Sequence, residues 1–157
     1  MKKRILLPLL FCGITVLLTS VSVLPGSQYS PVFMEYADLE RSVSYKPGAH
    51  PLTNPGKIYY KSPYIFINER YKGVHIINNS VPSAPVNEGF VAVPGCIDIA
   101  VKENTLYVDN AVDLVAFDLL TKQVSSRIKQ VFPELLSPDG LAYYHNDTKI
   151  IVEWKKR

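Results

Sequence analysis

Four aspartates crowd into one short stretch of the chain: Asp98, Asp109, Asp113 and Asp118, all between Ile97 and Leu119. Two carboxylates facing each other can cleave a glycosidic bond, one as acid and the other as base or nucleophile. Carboxylates grouped with carbonyl oxygens can instead hold Ca²⁺. Both readings compete with a plainer one. Each Asp adjoins a turn or a strand end, where its oxygen commonly accepts a hydrogen bond from backbone N–H groups. A second stretch, Lys57–Asn78, carries Asn68 and Asn78 where the first carries Asp109 and Asp118. Asn keeps the hydrogen-bonding capacity and loses the charge, so the exchange favours structural work.

The remaining chemistry is sparse. His50, His75 and His145 are scattered without metal-ligand spacing, and His75 sits inside the apolar run "GVHIIN". Cys96 is read as a small, inert side chain at the start of a strand. There is no nucleophile elbow, phosphate-cradling loop, Cys-x-x-Cys pair or His-Glu-x-x-His. No catalytic, cofactor-binding or metal-binding residue is therefore assigned, and no cofactor is expected. "IYYKSPY" and "LAYYH" cluster tyrosines that can stack on a carbohydrate or peptide, although a partly buried Tyr with a bonded hydroxyl is commoner. Sequons stand at Asn78-Asn79-Ser80 and Asn146-Asp147-Thr148.

What positions these residues is a repeat. Ile58 aligns with Ile99, Lys61 with Lys102, and Ile65-Phe66-Ile67-Asn68 with Leu106-Tyr107-Val108-Asp109. After one extra residue near Lys72, Val74-His75-Ile76-Ile77-Asn78 aligns with Leu114-Val115-Ala116-Phe117-Asp118. Each copy holds three short β-rich runs: Lys57–Tyr60, Tyr64–Asn68 and Gly73–Asn78, then Ile97–Val101, Leu106–Asp109 and Leu114–Asp118. A fourth run follows each, at Val86–Val93 and Arg127–Phe132. Connections this short allow antiparallel neighbours only. "VHII" and "LVAF" are nearly continuous apolar runs, as expected of strands covered on both faces. A period near forty residues points to four-stranded meanders stacked as propeller blades, with a two-sheet sandwich as runner-up. The fold class expected is all-β: about two antiparallel blades of an incomplete β-propeller, with an N-terminal signal helix.

On "GVHIIN" (Gly73–Asn78), "VPGCIDIAVKENTLYVD" (Val93–Asp109) and "DLVAFD" (Asp113–Asp118), the stretch from Gly56 to Val131 resembles the LVIVD repeat proteins of bacteria and archaea. Ala116 stands in the name-giving pentad where a larger aliphatic is usual. The resemblance implies a propeller in an exported or envelope protein, and it carries neither an activity nor any site residue across.

The first residues explain the charge. Lys2, Lys3 and Arg4 precede the apolar run Ile5–Leu18 and a small-residue exit at Ser20 and Ser22, the pattern of a secretory signal peptide. A membrane anchor is the rival, since apolar residues continue to Leu24. Lipid attachment at Cys12 is disfavoured by the bulky Phe11 before it. The net charge is +3, and three of the 17 Lys and Arg residues lie at positions 2–4; the rest balance the 14 Asp and Glu. A neutral body offers no footprint for a phosphate backbone, so nucleic acid is excluded as a partner. Membrane contact is expected only through the N-terminal segment.

The expected layout is a leader over 1–22, an extended linker with a short helical turn near Ala37–Arg41 over 23–55, two blades over 56–132, and a loop with a last strand over 133–157. Two blades are fewer than a closed propeller uses. Truncation of a longer chain is the favoured expectation, because the sequence ends on "WKKR" directly after a strand. A ring completed by several copies and flanks that cap the open faces are the alternatives. The function expected is a non-enzymatic binding or scaffold module of the cell envelope, with a protein or glycan partner and self-association through open blade faces. The other reading is a non-catalytic fragment of a propeller hydrolase or lyase whose active site lies in missing blades.

Overall fold

The computed structural model describes residues 26–145 and 148–157. The leader reading, including Lys2-Lys3-Arg4 and Cys12, falls outside these residues, as do Asn146 and Asp147. Among the described residues no helix is long and apolar enough to cross a membrane.

The chain is mostly antiparallel β-structure in three open sheets. In chain order come β1 (Tyr29–Glu35), α1 (Tyr36–Arg41), β2 (Ser44–Pro47), β3 (Pro55–Lys61), β4 (Tyr64–Glu69), β5 (Gly73–Asn78) and β6 (Val86–Ala92). They are followed by β7 (Ile99–Lys102), β8 (Thr105–Asn110), β9 (Asp113–Asp118), β10 (Gln123–Ile128) and β11 (Lys149–Lys156). The first sheet runs β2-β6-β5-β4-β3, the second β10-β9-β8-β7, and β1 pairs with β11 in a separate ribbon.

The sequence repeat is a repeat of register. Ile58 faces Ile67 in the first sheet, and Ile99 faces Val108 in the second. Asn68 faces Val74, and Asp109 faces Leu114. The one-residue slip is a turn of three residues, 70–72, against one of two, 111–112. In both turns a residue with a side chain takes the left-handed conformation, Tyr71 at φ 64° and Ala111 at φ 56°.

The two meanders pack face to face. Alternate residues of each supply the core: Phe66, Val74, Ile76 and Val91 from the first sheet, and Val101, Leu106, Val108, Val115 and Phe117 from the second. Fully burying one such side chain stabilises the fold by about 1.5–3 kcal/mol before entropic costs. The Tyr59 hydroxyl donates across the seam to the Val101 carbonyl at 3.1 Å. Lys57 pairs with Asp98 at 2.5 Å, and Lys61 donates to the Glu103 carbonyl.

Three assignments differ from the sequence reading. The last strand of the second meander is Gln123–Ile128, not Arg127–Phe132. Asp118 accepts the N–H groups of Leu120 and Thr121 and turns the chain at once. The strand that follows is a polar, exposed edge with no apolar alternation to reveal it. The supposed linker over 23–55 holds two strands: β1 pairs with β11, and β2 adds a fifth strand to the first sheet, Tyr45 facing Val91. Both partners lie far along the chain, so no local pattern announces them. α1 covers the expected helical turn Ala37–Arg41, β11 falls within the expected last strand, and the described part of the expected loop, Pro133–His145, holds neither helix nor strand.

The flanks pack against the turn end of the second sheet. Leu39 of α1 is fully buried with Ala111, Val112 and Val152, and Met34 and Ile150 pack around them. On the other side of the ribbon, Ile151 and Trp154 bury Leu135. Lys72 reaches Glu153 at 2.6 Å, which ties the ribbon to the first sheet's turn as well.

Candidate functional site

Because side chains alternate along a strand, the residues of β7–β9 that miss the core point to the opposite face of the second sheet. Ala100 and Tyr107 face each other across β7 and β8, and Tyr107 faces Ala116 across β8 and β9. Leu114 joins them. Among the described residues no sheet covers this surface. Instead the segment Phe132–Leu136 leans over one end and leaves a cleft of about 700 Å³ beside it, walled also by Tyr71 and Ile97. A second, smaller hollow of about 290 Å³ shares Tyr107 and Leu114 and reaches Ala116, Ser126 and Ile128. A concave, mainly apolar surface of this size suits a ligand or peptide side chains.

The wall is held from behind. Trp154 Nε1 donates to the Leu135 carbonyl at 3.0 Å, and Leu135 is buried against Ile151 and Trp154. The Val131 and Phe132 N–H groups both donate to the Val112 carbonyl, at 2.8 and 2.9 Å, which fixes where the segment leaves the sheet. At the rim, Glu134 lies 3.1 Å from His145 Nε2. The His145 ring meets Phe33 edge-on at 4.9 Å.

Asp109 also lines the cleft. Its carboxylate accepts from the Ile97 N–H at 2.9 Å and the Asp98 N–H at 2.8 Å. Burial pushes its carboxyl above the usual carboxylate range, and these two donors hold the shift back. Glu69, one residue beyond the matching position in the first sheet, does the same for Thr53 and Asn54, at 3.1 and 2.7 Å. In each copy a carboxylate near the end of the second strand pins the residues leading into the first.

The other aspartates are brought together no more closely. Asp98 pairs with Lys57 and caps the Ile99 N–H at 2.7 Å. Asp113, fully buried, is held 2.7 Å from Arg127 Nη1 and accepts from the Tyr36 hydroxyl at 2.9 Å. Asp118 accepts from the Leu120 N–H at 2.7 Å, as Asn78 accepts from the Ser80 N–H at 2.9 Å. Asn68, the counterpart of Asp109, donates to the Gly73 and Cys96 carbonyls. Each side chain in the set therefore has a backbone or ion-pair partner, and no two aspartates face each other as an acid–base pair would. Among the described residues no group of three or more His, Cys, Asp or Glu side chains is arranged to hold a metal ion.

Cys96 is fully buried, and desolvation pushes its thiol well above the ordinary range, the environment of an inert structural cysteine. Of the sequon at Asn78, the Nδ2 atom is engaged with Glu88 Oε1 at 2.7 Å. One constellation escaped sequence reasoning. His75, on the first sheet's outer face, meets the Phe90 ring at 4.8 Å, and His50 meets the same ring at 5.5 Å. His75 Nε2 lies 3.5 Å from Glu69 Oε2. His50 comes from the connection before β3 and shares no periodicity with His75, so nothing in the sequence pairs them.

Comparison with known protein families, curated proteins and solved structures gave no match.

Proposed function

We propose that the chain is a non-enzymatic binding or scaffold module of the LVIVD type, exported to the cell envelope, whose two meanders are blades of a β-propeller. Its recognition surface is the cleft over Ala100, Tyr107 and Leu114. The observation that carries this reading is that cleft itself: an apolar concavity of about 700 Å³ backed by a well-packed sheet. A rigid floor and a wall anchored through Trp154 keep the surface in shape before anything binds, which lowers the ordering cost of recognition. The register match between the meanders supports the blade reading, and the residues Val93–Asp109 and Asp113–Asp118 support the family. Export is supported by the basic and apolar pattern of the first residues.

The partner expected is a protein segment or glycan presenting an apolar or aromatic face. A screen of peptide and glycan arrays with the wild-type chain is expected to give binding without turnover. Ala100→Arg, at an exposed position on the cleft floor, is expected to remove it. Turnover of any substrate, or binding indifferent to Ala100→Arg, would defeat the reading. Export is tested by fractionating cells that carry the chain with and without residues 2–4.

A further inference from the structure

The two faces of each meander are not equivalent, and the repeat relates them in a particular order. The first sheet buries Phe66, Val74 and Ile76 at the seam. Their counterparts in the second sheet are Tyr107, Leu114 and Ala116, which lie on its open face. Conversely, the second sheet buries Ile99, Val101, Leu106, Val108 and Phe117 at the seam. Their counterparts in the first sheet are Ile58, Tyr60, Ile65, Ile67 and Ile77. Ile58 and Tyr60 are 66% and 62% exposed, and Ile65, Ile67 and Ile77 are only partly covered. Each open face thus repeats, in register and largely in apolar character, one side of the seam already formed within the chain; His75, the buried counterpart of Val115, is the exception.

From this we infer that the occupant of the cleft face is a second copy of this chain, docked head to tail. The Ile58–Tyr60–Ile67 face of one copy lies on the Ala100–Tyr107–Leu114 face of the next and continues the seam between the sheets. The inference rests on the reading of that face as a recognition surface and names its partner. An interface of this kind is heterologous: it joins unlike faces and so builds a closed ring or an open stack. The segment Phe132–Leu136 stands over one end of the second face, and His50 packs on Phe90 beside the first. Contact confined to what remains open on each face is expected to be weak and concentration-dependent. The polar contacts of the existing seam indicate how the next would be dressed. By the repeat, Lys102 takes the place of Lys61, whose ammonium meets a carbonyl of the opposite sheet.

The test is sedimentation velocity from low micromolar to near-millimolar protein, with two variants at exposed positions that leave the core alone. Tyr60→Lys spoils the first face and Ala100→Arg the second. The wild type is expected to grow beyond a dimer with concentration, and each variant alone to remain monomeric. An equal mixture of the two is expected to give a dimer and nothing larger, because each variant retains the face its partner needs. Wild-type protein that stays monomeric throughout would overturn the inference, as would a dimer unaffected by one variant or a mixture that fails to pair. Circular dichroism melts of both variants, expected to match the wild type, establish that loss of assembly is not loss of fold. Monomeric Tyr60→Lys, whose cleft is free, is then taken to the peptide and glycan arrays. Binding there without wild-type self-association keeps the recognition reading and sinks the head-to-tail partner. Self-association with silent arrays does the reverse for foreign ligands.

Discussion

Arg127 Nη1 lies 2.7 Å from Asp113 Oδ2, and the same guanidinium ties the N-terminal helix to the second sheet. Nη1 also donates to Asn110 Oδ1 at 2.8 Å, while Nη2 reaches the Leu39 and Glu40 carbonyls at 3.3 Å. The Tyr36 hydroxyl closes the group on Asp113, and burial together with that carboxylate pushes its pKa up to about 12. The last residues of α1, an edge strand and a tight turn thus share one buried polar centre. Arg127→Ala leaves the Asp113 carboxyl without its ionic partner in a dry site. The expected cost is about 3–5 kcal/mol, read as a lower urea midpoint. Leu39 should become more accessible to hydrogen exchange than Phe66 in the same variant. A loss under 1 kcal/mol, or no local opening at Leu39, would contradict this role.

Asp109 is a carboxylate that the fold uses for its oxygens more than its charge. Its raised folded pKa means that the native state binds the proton more tightly than the unfolded chain does. This contribution therefore favours the fold below the unfolded pKa and is lost as pH rises through the folded value. Asp109→Asn keeps an acceptor for the Ile97 and Asp98 N–H groups and discards the buried charge. It is expected to stay within about 1 kcal/mol of wild type and to flatten the stability profile just above the ordinary carboxylate range. Asp109→Ala strands both N–H groups and is expected to lose about 2 kcal/mol or more. Equal losses for Asn and Ala, in chemical denaturation across pH, would count against the assignment.

His75 titrates with the opposite sign. Desolvation lowers its folded pKa beneath the ordinary 6.5, with Glu69 opposing and the nearby His50 assisting. The unfolded chain then takes up the proton first, so this contribution is intact above pH 6.5 and declines as pH falls below it. Val115 occupies the matching position in the second sheet. His75→Leu is accordingly expected to retain the fold and remove the decline between pH 6.5 and the carboxylate range. Persistence of the full decline in that variant, by thermal melts at stepped pH, would show that the sensitivity lies elsewhere.

Gly73 opens β5 with φ +142°, and a Cβ there would stand 2.0 Å from the Val91 carbonyl oxygen. That oxygen belongs to β6, which pairs with β5, so neither side can yield without breaking the ladder. Gly73→Ala is expected to cost more than the roughly 1–3 kcal/mol of a strained backbone alone and to lower the melting temperature by several degrees. Gly48→Ala, also at positive φ but with open space around it, should cost less. The ranking of the two by calorimetry checks the argument.

Much of the architecture was legible before any coordinates. The apolar runs "VHII" and "LVAF" follow from the need to dry a strand face, and that demand is written locally; in "LVAF", Leu114 and Ala116 line the open cleft rather than a second covered face. The exchange of Asn78 for Asp118 was likewise readable as a turn cap, because an oxygen at that place serves an N–H two residues on. The polar edge β10 was misplaced for the complementary reason: a strand with little to bury leaves little periodicity. The cleft was not legible at all. Its floor reads as a face covered by a neighbouring sheet, and its wall reads as irregular loop.

The sequence by itself determined the first three strands of each meander in one register, since each hydrogen-bonded pair in them lies close along the chain and the alternation of side chains fixes its phase. Only the tertiary structure decided which faces meet, that β1 joins β11, that Arg127 reaches Asp113 and α1 together, and that a cavity remains beside Leu135. Those outcomes depend on contacts between segments far apart in the chain, whose energies are set by shape and burial after folding and leave no spacing behind to be read.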